Sequence, residues 1–280
     1  MPTIRVAHSP DSDDAFMFYA LAEGRIDTGD RRYMHELSDI ESLNRRALAG
    51  ELEVSAVSIH AYAYLWRTYA LLASGSSMGD GYGPRLVSTA PRPADPRTAI
   101  AGRPVAVPGT LTTAYLALKL LQPDVAHVVM PFDRIEQAVH AGEVELGLLI
   151  HEGQLTYADE GLHLWTDLGA WWLEETGLPL PLGGNVVRRD LGPDLIRAIA
   201  RDLRASIRYA LEHRAGALAH ARQYNRGLSD ERTDAFVGMY VNEWTVDYGP
   251  RGRQAVRALL DRAHAAGLVP ERVEVDFADD

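Results

Sequence analysis

Two stretches of this chain repeat one plan, and the repetition limits the folds open to it. Ile4-Arg-Val-Ala-His-Ser-Pro runs into an apolar helical pattern over residues 15–22. Arg103-Pro-Val-Ala-Val-Pro-Gly runs into another over 112–121. Further along, Ile40-Glu-Ser-Leu leads to Ala49-Gly-Glu-Leu-Glu-Val-Ser, and Ile135-Glu-Gln-Ala leads to Ala141-Gly-Glu-Val-Glu-Leu-Gly. Ser38 with Glu41, and Asp133 with Glu136, fit helix N-caps. Gly50 and Gly142 fit the left-handed residue that closes a helix. Residues 54–57 and 146–150 then read as strands. Each half is strand–helix–strand–helix–strand, the signature of parallel strands joined by crossover helices. In such sheets ligands bind beyond the carboxyl ends of the strands, so two halves facing each other enclose a cleft.

The stretch 89–104 is rich in Pro and Ala and reads as the linker into the second half; 177–181 marks the return. Apolar spacing then predicts three amphipathic helices over 191–211, 229–242 and 251–266, with Asp194 and Ser229 as caps. Helices that follow a second crossover pack back on the first domain. The expected organisation is a large discontinuous α/β domain, 1–97 and 176–280, with a small α/β domain, 98–175, inserted in it. At 280 residues and 46% hydrophobic content the chain has enough apolar material for both cores.

Composition removes several function classes. The net charge of −11 disfavours nucleic acid or an acidic membrane surface as partner. No apolar stretch is long enough to span a bilayer. Without cysteine there is no thiol nucleophile, disulfide, Cys-ligated zinc or iron–sulfur cluster. Lys119 is the sole lysine and lies in the amphipathic run 114–121, so it reads as a helix surface charge rather than a Schiff-base amine. His8, His35, His60, His127, His140, His151 and His163 are scattered without zinc-type spacing, so no metal is expected. The N-terminus enters a strand at once and lacks the segments of a secretory signal, which favours the cytoplasm.

The residue that carries most chemistry is His151. An apolar strand pattern, Glu-Leu-Gly-Leu-Leu-Ile, ends abruptly in His151, Glu152 and Gly153. An imidazole at the carboxyl end of a strand suits a general base; it also suits a structural hydrogen bond to a loop. Ser58, His60 and Tyr62 hold the equivalent place in the first half. The loop from Ser9 to Phe16 puts three acids near a helix N-terminus, where capping accounts for Asp11 or Ser12, while Ser9 and Asp14 are available to ligand hydroxyls. The second loop, from Pro108 to Ala114, has no acid and offers a glycine, hydroxyls and free helix N–H groups, which suits a carboxylate or other polar oxygen. Trp165, Trp171, Trp172, Tyr19, Tyr115 and Tyr157 could stack on a flat ligand or simply pack a core.

These motifs together resemble the 1,4-dihydroxy-6-naphthoate synthase family of the futalosine route to menaquinone. The resemblance runs from about Ile4 to beyond Leu260. It rests on Ser9-Pro…Asp14-x-Phe16, Val105-Ala-Val-Pro-Gly…Thr112-Thr-Ala-Tyr and Gly147-Leu-Leu-Ile-His-Glu…Thr156-Tyr, continuing through Asp167-Leu-Gly-Ala-Trp-Trp, Thr176-Gly-Leu-Pro-Leu-Pro-Leu-Gly and Tyr240-Val-Asn. It implies a two-lobed α/β fold like type II periplasmic binding proteins, and a lyase that needs no cofactor and releases 1,4-dihydroxy-6-naphthoate from cyclic dehypoxanthine futalosine. Carried over residue by residue, it makes His151 the proton acceptor and puts Ala56, Val57 and Ser58, with Thr112 and Thr113, against the substrate. The chain departs from the family's common Ser-Pro-Cys-Pro-Asn-Asp-Thr-Phe in its first loop, which here is Ser-Pro-Asp-Ser-Asp-Asp-Ala-Phe. It also lacks a lysine that some members carry where Ala56 stands. A chorismate dehydratase-like paralogue, or a solute-binding protein for a small aromatic acid, is the alternative. The expected partner is a small-molecule substrate, with a monomer or homodimer both open.

Overall fold

The computed structural model describes residues 3–224 and 228–279. The first part of the chain runs β1 (Thr3–His8), α1 (Ser12–Ala22), β2 (Arg32–Leu37), α2 (Ile40–Leu48), β3 (Val54–Ser58), α3 (Ile59–Leu65), β4 (Tyr69–Leu72) and β5 (Ser77–Gly79). The second runs β6 (Arg85–Ser88), α4 (Pro96–Ala99), β7 (Pro104–Val107), α5 (Thr113–Leu121), β8 (Ala126–Val129), α6 (Phe132–His140), β9 (Leu146–Leu149), α7 (Gly153–Thr156), β10 (His163–Asp167) and α8 (Leu168–Thr176). The chain closes with β11 (Leu180–Arg188), α9 (Pro193–Glu212), α10 (Arg214–Ala221), α11 (Asp230–Tyr240), α12 (Glu243–Val246), α13 (Gly249–Ala265) and β12 (Phe277–Ala278).

The repeat read from the sequence is the repeat of the fold. One sheet has the order β12-β4-β11-β3-β1-β2, with β5 also paired to β11; the other has the order β10-β6-β9-β7-β8. In the first, β1 lies parallel between β2 and β3. In the second, β7 lies parallel between β8 and β9. The inner strands β3 and β9 are buried along their whole length, as strands covered on both faces are. Gly50 and Gly142 have φ of 70° and 71°, the left-handed conformation that ends α2 and α6 in register with each other.

Each sheet also takes in an antiparallel strand that the repeat does not reveal. β11 pairs with β3, and β6 pairs with β9. Both strands adjoin the segments that carry the chain between the sheets. Sheet membership therefore differs from the sequence reading at 85–88: β6 lies in the second sheet, although the Pro- and Ala-rich composition that suggested a linker begins only at Thr89. That stretch also contains the short helix α4. The crossings pack backbone against backbone. A Cβ on Gly169 would lie 1.8 Å from the Tyr82 carbonyl oxygen, and Leu168 N–H donates to the Pro84 oxygen at 2.9 Å. Only glycine allows that approach.

Helix α1, Ser-Asp-Asp-Ala-Phe-Met-Phe-Tyr-Ala-Leu-Ala, is apolar on every side past its first turn, and such a helix must be covered on every side. Helices α9, α10 and α11 cover it. Phe16, Met17, Phe18, Leu203, Ile207 and Val237 form part of one core there. Ser206 ties the pair: its hydroxyl donates to the Met17 oxygen at 2.9 Å and accepts from Leu21 N–H at 3.3 Å. The cap assignments shift locally. Asp39 rather than Ser38 caps α2, accepting from Ser42 N–H at 3.0 Å, and Pro131 rather than Asp133 holds the N-cap position of α6. Ser229 caps α11 as expected, whereas Asp194 lies inside the first turn of α9.

Phe16 is fully buried in this core. Phe16→Ala is expected to cost about 3–5 kcal/mol of unfolding free energy, read as a lower urea midpoint with an unchanged slope. A loss below about 1 kcal/mol would mean that α1 is not held by packing.

Candidate functional site

One cleft lies where the carboxyl ends of β1, β3, β7 and β9 converge. Ser9, Asp14, Ala56, Val57, Ser58, Thr112, Thr113 and His151 all line it. The sequence reading therefore places its site residues around a single space, although they come from loops more than a hundred residues apart.

The first wall is the end of β3. Ser58 N–H donates to Asn44 Oδ1 at 2.9 Å, and Asn44 Nδ2 donates to Ser58 Oγ at 3.1 Å. Asn44 is fully buried on α2. With its oxygen accepting from Asn44, the Ser58 hydroxyl keeps its proton for whatever enters the cleft. Gly183 and Gly184 of β11 pair with Ser58 and Val57 and continue this wall.

The second wall is the N-terminus of α5, and here the hydroxyls do something other than expected. Thr112 Oγ1 accepts from Tyr115 N–H at 3.2 Å and donates to the Gly109 oxygen at 2.8 Å, an ordinary cap. Thr113 Oγ1 accepts from His60 N–H at 3.1 Å and donates to the Leu182 oxygen at 2.6 Å. Both hydroxyl protons are committed. What α5 presents to the cleft is its first-turn backbone, the N–H groups of Thr113 and Ala114, which have no partner among the described residues. Orphan N–H groups at a helix N-terminus form an anion site. Glu41, read from the sequence as part of its own helix cap, reaches across instead: its Oε2 accepts from Leu111 N–H at 3.3 Å.

The third wall joins the first loop to the end of β9. His151 Nδ1 lies 3.3 Å from Asp11 Oδ2, with both side chains largely buried. Ser9 Oγ donates to the same Asp11 oxygen at 2.8 Å, and Ser9 N–H donates to Asp14 Oδ2 at 2.8 Å. The Phe132 ring packs on the imidazole with centroids 3.8 Å apart. His151 Nε2 is buried and has no hydrogen-bond partner among the described residues. Asp11 occupies the N-cap position of α1 but makes no cap bond, which corrects the reading of this acid as a cap. On a continuing strand the adjacent Glu152 would point away from His151. The strand ends at Leu149, so alternation no longer applies. Glu152 Oε1 accepts from Ser12 Oγ at 3.4 Å.

Buried acids crowd this wall. Burial, then the neighbouring Asp14, Asp11 and Glu152, hold the Asp13 carboxyl well above the usual carboxylate range. Burial also raises Asp14, to about 6, against the pull of its bond from Ser9 N–H. At the base of the loop, burial and the adjacent His35 ring push His8 down to about 3. His8 stacks on Phe18 at 4.5 Å and meets Ser9 O at 2.9 Å through Nδ1.

The cleft contains residues that sequence patterns did not single out. Asn185 of β11 lines it, with Nδ2 donating to the Gly75 oxygen at 2.9 Å and a buried Oδ1 without partner among the described residues. Tyr240 OH donates to Gln154 Oε1 at 2.7 Å, bridging α11 to α7. Burial keeps the Tyr240 phenol neutral at any ordinary pH. Apart from Tyr240, which belongs to the quoted motif Tyr240-Val-Asn, only pairing across the fold identifies these residues. Among the described residues the aromatics lining the cleft are Phe236 and Tyr240; Trp165 of β10 and Trp172 of α8 are buried in the core instead. Asp11, His151 and Glu152 bring donor atoms within 4.8 Å of one another, a set that could accept a divalent cation. No spacing rule shows it, because its members come from two distant loops.

A protein family described as "Menaquinone biosynthesis" matches residues 4–265 of the chain. A 1,4-dihydroxy-6-naphthoate synthase of Thermus thermophilus is 44% identical over 268 residues, 96% of each protein. Its counterpart in Streptomyces coelicolor is 40% identical over 274 residues, 96% of this chain and 95% of that one. A crystal structure from Archaeoglobus fulgidus superposes with a TM-score of 0.91 at 48% identity, covering 95% of this chain and 98% of that one. The alkanesulfonate-binding protein of Xanthomonas axonopodis pv. citri has a TM-score of 0.71 at 13% identity, covering 98% and 96%. That likeness identifies the fold, two mixed sheets flanked by helices in the periplasmic-binding-protein arrangement, as the sequence implied.

The histidines under the first loop give a pH test. His8, at about 3, and His35, at about 4, lie below the ordinary value of 6.5. As pH falls below about 6.5 the unfolded chain takes up protons that the folded one refuses, so this contribution to stability is lost on acidification. In urea titrations, His8→Gln is expected to lose less stability than the parent between pH 7 and pH 5. Equal losses would mean that His8 is not held neutral by the fold.

Proposed function

Because the chain belongs to the menaquinone biosynthesis family, we propose that it is a 1,4-dihydroxy-6-naphthoate synthase, a lyase converting cyclic dehypoxanthine futalosine to 1,4-dihydroxy-6-naphthoate. The activity is that named for its two bacterial relatives, and the substrate is the one the family resemblance implies. The observation that carries the reading is the cleft's division of labour. A buried imidazole with an unengaged Nε2 lies on one side, and a helix N-terminus with two unengaged N–H groups lies on the other.

In this reading the Thr113 and Ala114 N–H groups hold an anionic or carbonyl oxygen of the substrate, and the Ser58 hydroxyl donates a further bond. His151 Nε2 removes a proton from the carbon skeleton or a sugar hydroxyl. Ring opening and carbon–carbon cleavage follow, and formation of the aromatic naphthalene supplies driving force. The lobes exclude water around the reacting atoms. Val57, Ala56 and the β11 glycines give this wall little bulk, which leaves room for a flat ring. The loop acids make the third wall a poor place for a second anion, so the substrate's anionic end belongs at α5. The proposed setting is the cytoplasm, with a small-molecule substrate as partner, a monomer or homodimer, and no cofactor.

The test is direct turnover of cyclic dehypoxanthine futalosine, followed by mass and absorbance of the naphthoate. His151→Gln is expected to lower kcat by about 10²–10⁴-fold, the range for removal of a positioned base, while still binding substrate. Undiminished turnover in that variant would remove His151 from the base role. Binding without turnover by the parent would point to a solute-binding protein. Excess EDTA is expected to leave the rate unchanged; loss restored by one divalent metal would assign the Asp11, His151 and Glu152 set to a metal centre.

A further inference from the structure

We propose that Asp11 is a positioning residue for His151: it fixes the imidazole tautomer, with the proton on Nδ1, that leaves Nε2 as the proton acceptor. The proposal rests on the reading of His151 as the base. Its own evidence is geometric. Asp11 Oδ2 stands 3.3 Å from His151 Nδ1, and the two side chains are 11% and 13% exposed. A carboxylate accepts and never donates when ionised, so the proton between them belongs to Nδ1. The other nitrogen then carries the lone pair, and Nε2 is the ring atom left without a partner among the described residues. The two facts are one tautomer seen from both ends.

The surroundings restrict the alternatives. Asp11 is itself oriented, because Ser9 Oγ donates to Oδ2 at 2.8 Å and Asp11 N–H donates back to Ser9 Oγ at 3.2 Å. That small ring of bonds aims the carboxylate away from the helix N–H groups it would otherwise cap, which explains why an aspartate at the N-cap of α1 makes no cap bond. Of the nearby acids, Asp14 accepts from Ser9 N–H and Glu152 accepts from Ser12 Oγ. Phe132 covers one face of the imidazole. The ring is thus gripped at Nδ1 and across a face. During turnover Nε2 takes the substrate proton and Asp11 balances the imidazolium that results; when Nε2 returns the proton, Nδ1 keeps its own beside Asp11.

The experiment uses the full chain as wild type, Asp11→Asn and Asp11→Ala, each checked for folding by circular dichroism, with two readouts. Steady-state kinetics on cyclic dehypoxanthine futalosine should show kcat about 10²-fold lower in Asp11→Ala and KM changed less than about threefold. Asp11→Asn should fall between Asp11→Ala and wild type, because its carbonyl oxygen still accepts from Nδ1 without the charge. Ring nitrogen-15 spectra of ligand-free protein, with His151→Gln identifying the signals, should show Nδ1 protonated in wild type and the proton moving to Nε2 in Asp11→Ala. An unchanged tautomer in Asp11→Ala, or a loss seen in KM with kcat intact, would overturn the proposal. If wild type shows no turnover, the proposed function fails, and the nitrogen spectra still decide whether Asp11 sets the tautomer.

Discussion

Everything at the site depends on how the chain crosses between its two sheets. Each crossing feeds a strand that is sewn antiparallel against an inner parallel strand, β6 on β9 and β11 on β3. Those pairings fix the two strand–helix units with the carboxyl ends of β3 and β9 at one cleft. Where the crossing segments meet, Gly169 lets one backbone lie directly on the carbonyl of Tyr82. Main chain therefore meets main chain where the first crossing packs on the start of α8.

Polar groups in the cleft sort into those that hold the lobes and those left for a ligand. Thr112, Thr113, Glu41, Gln154 and Tyr240 spend their hydrogen bonds within the protein, several of them across the cleft. The Ser58 proton, the Thr113 and Ala114 N–H groups and His151 Nε2 have no partner among the described residues. Unspent groups in a buried space cost stability unless a ligand meets them. Their grouping around one space, with α5's positive end opposite an imidazole, is the electrostatic asymmetry a proton transfer needs. The acids of the first loop sharpen it. Burial raises both Asp13 and Asp14, helped by the charges of Asp14, Asp11 and Glu152 on the first and of Asp11 on the second, and Asp11 is directed onto the imidazole.

Much of this was legible in the sequence because repetition is a strong signal. The strand–helix units, the glycines at 50 and 142, and the convergence of Ser58, Thr113 and His151 follow from period and punctuation alone. The antiparallel strands were not legible, since β6 and β11 belong to neither copy of the repeat, and the motif that covers residues 180–183 shows no pairing partner. The role of Asp11 was hidden for a different reason. An acid before a helix reads as a cap, and only the fold brings Asp11 beside a histidine 140 residues away. For Thr112 and Thr113 the sequence showed hydroxyls at a helix N-terminus but not their use: the hydroxyls serve the protein, and the residues meet the cleft with their backbone. Sequence identifies which side chains are present, but the count of hydrogen bonds already made decides which atoms remain available. Of the first-loop departures from the family pattern, Asp11 lies beside His151 and Ser12 beside the adjoining Glu152.

The most direct measurement is a crystal structure of the protein with 1,4-dihydroxy-6-naphthoate bound. The expected result is a ring seated between the lobes, its carboxylate on the N–H groups of Thr113 and Ala114, and its opposite edge within reach of His151 Nε2. A ligand seated outside this cleft, or one held with His151 Nε2 turned away from it, would contradict the assignment of the two walls.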